Sequence, residues 1–114
     1  MVSCLSFVKD CPVSNRSPRG NLSAKERTDY INAVKCLQGK PAKTPASVAA
    51  GAKTRFDDFV ATHIQQTLTI HYTGNFLGWH RYYTWLYEQA LQTECGYKGT
   101  QPVRHYYHWP FNVY

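Results

Sequence analysis

The sequence predicts a mainly α-helical fold in one small domain, and three observations carry that reading. Two stretches, TRFDDFVATHIQQTL and FLGWHRYYTWLYEQALQTE, repeat apolar residues at the i, i+3, i+4, i+7 spacing of a helix face. A third, LSAKERTDYINAVKCLQ, opens with a helix-start pattern and stops at Gly39 and Pro41. Aromatic residues make up 15% of the 114 residues, too many for a chain disordered throughout.

Residues 1–21 predict an irregular segment, because Pro12, Pro18, Gly20 and several Ser and Asn residues break any period. In the first helix, Ser23 is placed to cap the start and Glu26, three residues on, to complete a capping box. Tyr30, Ala33, Val34 and Leu37 then share a face. Residues 39–53 read as a linker rich in Pro, Ala and Gly. The second helix carries Phe56, Phe59, Val60, Ile64 and Leu68 on its apolar stripe, with His63 and Thr67 among them. Asp57, Asp58, Gln65 and Gln66 fall on its other faces. A short turn at residues 72–75 follows, with Asn75 as the expected cap of a third helix. That helix has the stripe Phe76, Trp79, His80, Tyr83, Tyr87, Ala90 and Leu91, and ends at Cys95-Gly96. The tail after residue 102 is aromatic and shows no period.

Bulk properties exclude several classes. Mean hydropathy is −0.49, and no apolar run approaches the roughly 20 residues that span a bilayer, so no membrane partner is expected. The opening MVSCLSFVKD has only a short apolar patch and no basic lead, so a secretory leader is not expected from it, and either the chain stays inside the cell or its true start lies elsewhere. Net charge is +6, concentrated before residue 56, but the basic residues are scattered singly. They read as a solvated surface, and no nucleic-acid partner is expected. Cys4, Cys11, Cys36 and Cys95 form no CxxC pair. They are either two disulfides of unassigned pairing or buried thiols, depending on compartment.

The chemistry lies in the histidines. His63 and His80 occupy core-facing positions on the second and third helices, and His71 stands in the turn between them. A turn that short makes the two helices antiparallel neighbours, so the three imidazoles can converge. A single histidine on an apolar face is more often a hydrogen-bonded core residue than a ligand. Three together are harder to satisfy, at about 1–3 kcal/mol for each unpaired buried polar group. One metal ion would satisfy all three. Neutral imidazole suits copper, zinc, iron and nickel. No carboxylate joins the set, which argues against magnesium, calcium and a facial iron triad. No Met or Cys lies among the three, which argues against an electron-transfer copper site.

The run from His71 to Glu88 resembles the copper A signature of the tyrosinase and polyphenol oxidase family of type-3 copper proteins. His71, Phe76, Leu77, Trp79, His80-Arg81, Thr84 and Glu88 fill its positions. LSAKERTDYINAVKCL, DDFVATH and ECGYKGTQP also resemble fungal-type tyrosinases and catechol oxidases, so the likeness extends over about residues 11–102. It implies half of a four-helix copper bundle, with residues 22–102 as the copper A domain. His63, His71 and His80 become the ligands of one copper ion, packed by Phe76, Trp79 and Tyr83, with Arg81 and Glu88 as structural polar groups nearby. The cysteine that cross-links the middle histidine in some relatives has no counterpart, because residues 64–70 contain none. The implied activity is oxidation of phenols and o-diphenols by dioxygen at a pair of coppers.

The resemblance breaks at Pro102. The family continues with Pro-Tyr-Trp-Asp-Trp, whereas this chain reads VRHYYHWPFNVY over residues 103–114. The three histidines of the copper B half do not follow. His105 and His108 are further ligand candidates, spaced i, i+3, but they do not match the copper B pattern. Val103-Arg104 can be encoded GTACGT, like an intron's 5′ boundary, so the tail also reads as translated intron. The expectation is a domain that binds one copper, has little activity alone, and self-associates through helix faces left without partners. The alternative is a non-catalytic module for metal binding or dimerisation.

Overall fold

The computed structural model describes residues 16–103. Three helices make up the fold: α1 (Ala24–Gly39), α2 (Arg55–Ile70) and α3 (Phe76–Cys95), preceded by a 3-10 turn at Arg19–Asn21. The described residues contain no strand, only isolated bridges between Pro18 and Val103 and between Pro41 and Thr54.

Each helix start has a local cause. At α1 the Glu26 N–H donates to the Ser23 hydroxyl at 3.2 Å, and the Ser23 N–H donates to the Glu26 carboxylate at 2.8 Å. The expected capping box is therefore formed. Thr54 and Asp57 build a second box at α2, with the reciprocal bonds at 3.2 and 2.8 Å. Such caps contribute about 1 kcal/mol each. Asn75 stands at the cap position of α3, but its backbone is already helical (φ −78°, ψ −10°) and its side chain makes no cap bond. The turn is closed instead by Thr73, whose carbonyl accepts from the Phe76 N–H at 3.2 Å. Gly96 ends α3 at φ 68°, the left-handed conformation that glycine adopts without a side-chain clash.

Helices α2 and α3 run antiparallel. Ring pairs step along them in opposite directions, from Phe56–Tyr87 through Phe59–Tyr83 to His63–His80. The core lies at the far end of this pair, where α1 packs on it. Ala33 and Leu37 of α1 meet Ala90, Leu91 and Tyr97, with Tyr30, Val34, Phe56, Phe59 and Tyr87 closing around them. Burial of a residue such as Leu37 or Leu91 stabilises by about 1.5–3 kcal/mol. A disulfide joins Cys36 to Cys95, Cα atoms 6.0 Å apart, and ties the end of α1 to the end of α3. Cys4 and Cys11 lie outside the described residues.

Three sequence expectations shift. The inward stripe of α2 runs through Phe56, Phe59, His63, Thr67 and Ile70, whereas Val60 is exposed and Ile64 and Leu68 are 66% and 80% exposed. Those two sit at the edge of the apolar arc, and nothing among the described residues covers that edge. Asp58, placed on a polar face, is buried. Its carboxylate accepts from the backbone N–H groups of Lys43 and Thr44 at 2.8 and 2.9 Å and pairs with Arg55 at 3.1 Å. The linker of residues 39–53 is thereby a pinned loop. Its neck is closed by Ala42 N–H to Lys53 O at 3.2 Å and Arg55 N–H to Lys40 O at 2.8 Å. Arg55 also pairs with Glu94 at 3.1 Å and lies over the Phe59 ring, so one guanidinium joins loop, α2 and α3.

The segments flanking the helices meet. Arg19 N–H donates to Val103 O at 2.8 Å, and Val103 N–H to Ser17 O at 3.2 Å. Glu88, buried within α3, accepts from Arg16 at 3.1 Å and from the Gln101 backbone at 2.7 Å. Among the described residues, no helix is long and apolar enough to cross a membrane.

Candidate metal centre

Helix α2 projects His63 toward α3, and its C-cap residue is His71. His80 lies one turn into α3. The short turn between them folds α3 back along α2, and one ligand atom from each imidazole then lies within 4.8 Å of the others. The Nε2 atoms of His63 and His80 are 3.3 Å apart. Ligand atoms around one ion with bonds near 2 Å are separated by roughly 3.3–3.5 Å in tetrahedral or trigonal geometry. The cluster is therefore close to the size an ion requires.

The proton positions also suit a metal. Nδ1 of His71 is 2.9 Å from the Thr67 carbonyl, and Nδ1 of His80 is 2.7 Å from the Phe76 carbonyl. A carbonyl only accepts, so both Nδ1 atoms carry the proton, and each Nε2 presents a lone pair. Both bonds span four residues back along the chain, which is the reach of a histidine to the preceding helical turn. His63 is biased toward its neutral, ligating form: burial, and then the neighbouring His71 and His80 imidazoles, lower its pKa. All three histidines are half-buried, so the cluster is shielded from bulk water yet reachable. Three imidazoles with free nitrogens and no carboxylate fit copper among the metals that imidazole prefers.

Aromatic rings frame the cluster. Phe76 lies 4.5 Å from His80 and 5.7 Å from His71, centroid to centroid. Trp79 is 5.0 Å from His80 and 5.8 Å from His63, and Tyr83 stacks on Trp79 at 4.8 Å. Tyr83 is held by its hydroxyl donating to the Phe59 carbonyl at 2.6 Å, and burial raises its pKa. The indole N–H of Trp79 donates to Gln66 at 3.0 Å. Gln66 and the carbonyl of Thr67 are supports that the sequence reading did not assign. Their signal was the spacing, since Thr67 precedes His71 by four residues.

Other expected residues lie elsewhere. Arg81 is exposed. Glu88 is eight residues beyond His80, about 12 Å along the helix, and fastens the flanking segments. His105 and His108 lie outside the described residues.

Residues 53–112 match the family profile described as the common central domain of tyrosinase. A tyrosinase-like protein, orsC, of Emericella nidulans is 52% identical over 77% of this chain and 24% of its own length. An N-acetyl-6-hydroxytryptophan oxidase, ivoB, of the same organism is 45% identical over 92% of this chain and 29% of its own length. Among solved structures, a polyphenol oxidase variant from Thermothelomyces thermophila is 62% identical and superimposes with a TM-score of 0.76, covering 78% of this chain and 23% of that one. The chain thus spans between about a quarter and a third of the length of these relatives.

Proposed function

This chain belongs to the tyrosinase family, and from that membership we propose that His63, His71 and His80 together hold one copper ion in the copper A position of a site that oxidises phenols or o-diphenols with dioxygen. The observation that carries the proposal is the convergence of the three imidazoles with Nδ1 of His71 and of His80 committed to backbone carbonyls. His63, His71 and His80 would hold the ion, which would supply one-electron redox chemistry toward dioxygen; a two-electron oxidation would then need a second such centre, and little turnover is expected of this stretch by itself.

The chain's own residues do the positioning. Thr67 and Phe76 hold the protons of His71 and His80 away from the centre. Phe76, Trp79 and Tyr83 restrict water around the imidazoles and keep the rings from rotating. Substrate class rests on family membership.

A second reading has its own observation. Val60, Ile64, Leu68 and Leu77 are exposed large apolar residues on α2 and at the start of α3. We propose that this face mediates self-association when the stretch stands alone, which would make it a metal-binding and dimerising module.

One experiment separates the readings. Purified protein is loaded with copper, its metal content and association state are measured, and catechol turnover is assayed. One copper per chain, lost in the His63→Ala/His71→Ala/His80→Ala variant, supports the centre. Undiminished copper uptake by that variant rules it out. Turnover confined to an associated species with two coppers would identify an assembled oxidase, and association without turnover the module.

A further inference from the structure

We propose that Asn21 is an N-glycosylation site, modified before α1 folds. Asn21-Leu22-Ser23 is an Asn-x-Ser triplet whose middle residue is not proline, the acceptor pattern for N-linked glycans in chains that traverse the secretory route. Asn21 is exposed at the end of the 3-10 turn, and only its backbone N–H, bonded to Pro18 O at 2.9 Å, is engaged among the described residues. The Cys36–Cys95 disulfide is an independent observation pointing to the same compartment, because such bonds persist where the environment is oxidising. Asn15-Arg16-Ser17 repeats the triplet, but Asn15 lies outside the described residues.

The exposure of Asn21 leaves room for a large substituent. Leu22 and Glu26 line a cavity of about 650 Å³ together with Cys95 and the loop that follows it. Asn21 therefore sits beside the C-terminal end of α3, whereas His80 lies near its start, some 22 Å away along the axis at about 1.5 Å per residue. A glycan there leaves the histidine cluster open.

The order of events follows from Ser23. In the folded chain its hydroxyl donates to the Glu26 carboxylate at 2.7 Å and accepts from the Glu26 N–H at 3.2 Å. The acceptor triplet needs that hydroxyl, and the helix cap occupies it. Transfer therefore precedes capping. In the step, the Asn21 amide nitrogen bonds to the anomeric carbon of a lipid-pyrophosphate-linked oligosaccharide. The anomeric C–O bond breaks, the lipid pyrophosphate departs with the electron pair, and the amide proton passes to base.

The test uses the full protein passed through a eukaryotic secretory pathway and mapped by glycopeptide mass spectrometry. The Asn21 peptide should carry a glycosidase-sensitive mass in the wild type and in Ser23→Thr, which keeps both cap and triplet. It should be absent in Asn21→Gln and in Ser23→Asp, where aspartate still caps α1 but the triplet is lost. Far-UV circular dichroism spectra should coincide in all four, which shows that the variants are folded whether or not the copper reading holds. An Asn21 peptide found entirely at its unmodified mass in the wild type overturns the proposal. The order is tested with aglycosylated protein, transferase and lipid-linked donor. Modification only after reduction and unfolding supports it, and equal modification of the folded protein refutes it.

Discussion

His63 and His80 face each other through their Nε2 atoms at 3.3 Å across the α2–α3 interface. With the Nδ1 of His80 already donating to Phe76, its Nε2 can only accept in the neutral ring. The metal-free pair is satisfied when His63 donates from Nε2, and a bound ion replaces that proton by accepting both lone pairs.

Removing one donor should break the centre without unfolding the chain. His80→Ala is expected to reduce copper affinity by more than the roughly 10–100-fold that follows loss of an outer hydrogen-bond partner. Titration calorimetry with copper, paired with a circular dichroism spectrum, reads both effects. Wild-type affinity in a folded variant would remove His80 from the ligand set.

Asp58 should be a main source of acid sensitivity. Burial works against its charged form, but the bonds from Lys43, Thr44 and Arg55 outweigh that and bring its pKa down to about 2. The ordinary value is 3.8, so the depressed group adds stability that is fully present above that pH and is lost as pH falls toward 2. The contribution is about 2 kcal/mol. Asp58→Asn should lower stability at pH 7 and flatten the decline between pH 4 and 2, as followed by denaturant unfolding. A variant whose acid profile parallels wild type would contradict this.

The disulfide should contribute through the unfolded chain. Cys36 and Cys95 close a loop with a separation of 59 residues. Chain-entropy arguments give such a link about 4 kcal/mol. Cys36→Ser/Cys95→Ser should therefore lower the unfolding midpoint sharply, and reduction of wild type should do the same. Coincident melting curves with and without reductant would show that the link adds nothing.

The open face of α2 should govern association. Ile64→Lys with Leu68→Lys is expected to weaken self-association by roughly tenfold or more, since a large apolar side chain is worth about 1.5–3 kcal/mol when buried. Sedimentation velocity over a range of concentrations measures it. Unchanged association would place the contact elsewhere.

Much of this is legible in the sequence. The start of α1 could be read from Ser23 and Glu26, and the end of α3 from Gly96, because caps and left-handed stops depend on neighbours within one turn. Convergence of the histidines was also legible, since His63 and His80 hold core-facing positions on two helices and a short turn beginning at His71 leaves few arrangements. What failed to show depends on distant partners. Asp58 looks like a solvent-facing acid until a loop fourteen and fifteen residues earlier presents two N–H groups to it. Ile64 and Leu68 look like core until the packing direction of α2 is known. Asn75 has the right chemistry for a cap, and only the backbone angles reveal that Thr73 closes the turn.

The pairing of Ser17, Pro18 and Arg19 with Val103 brings the two ends of the helical unit side by side. A longer polypeptide threaded through this unit would come in and leave by one doorway, so the helices hang from that chain as a pendant.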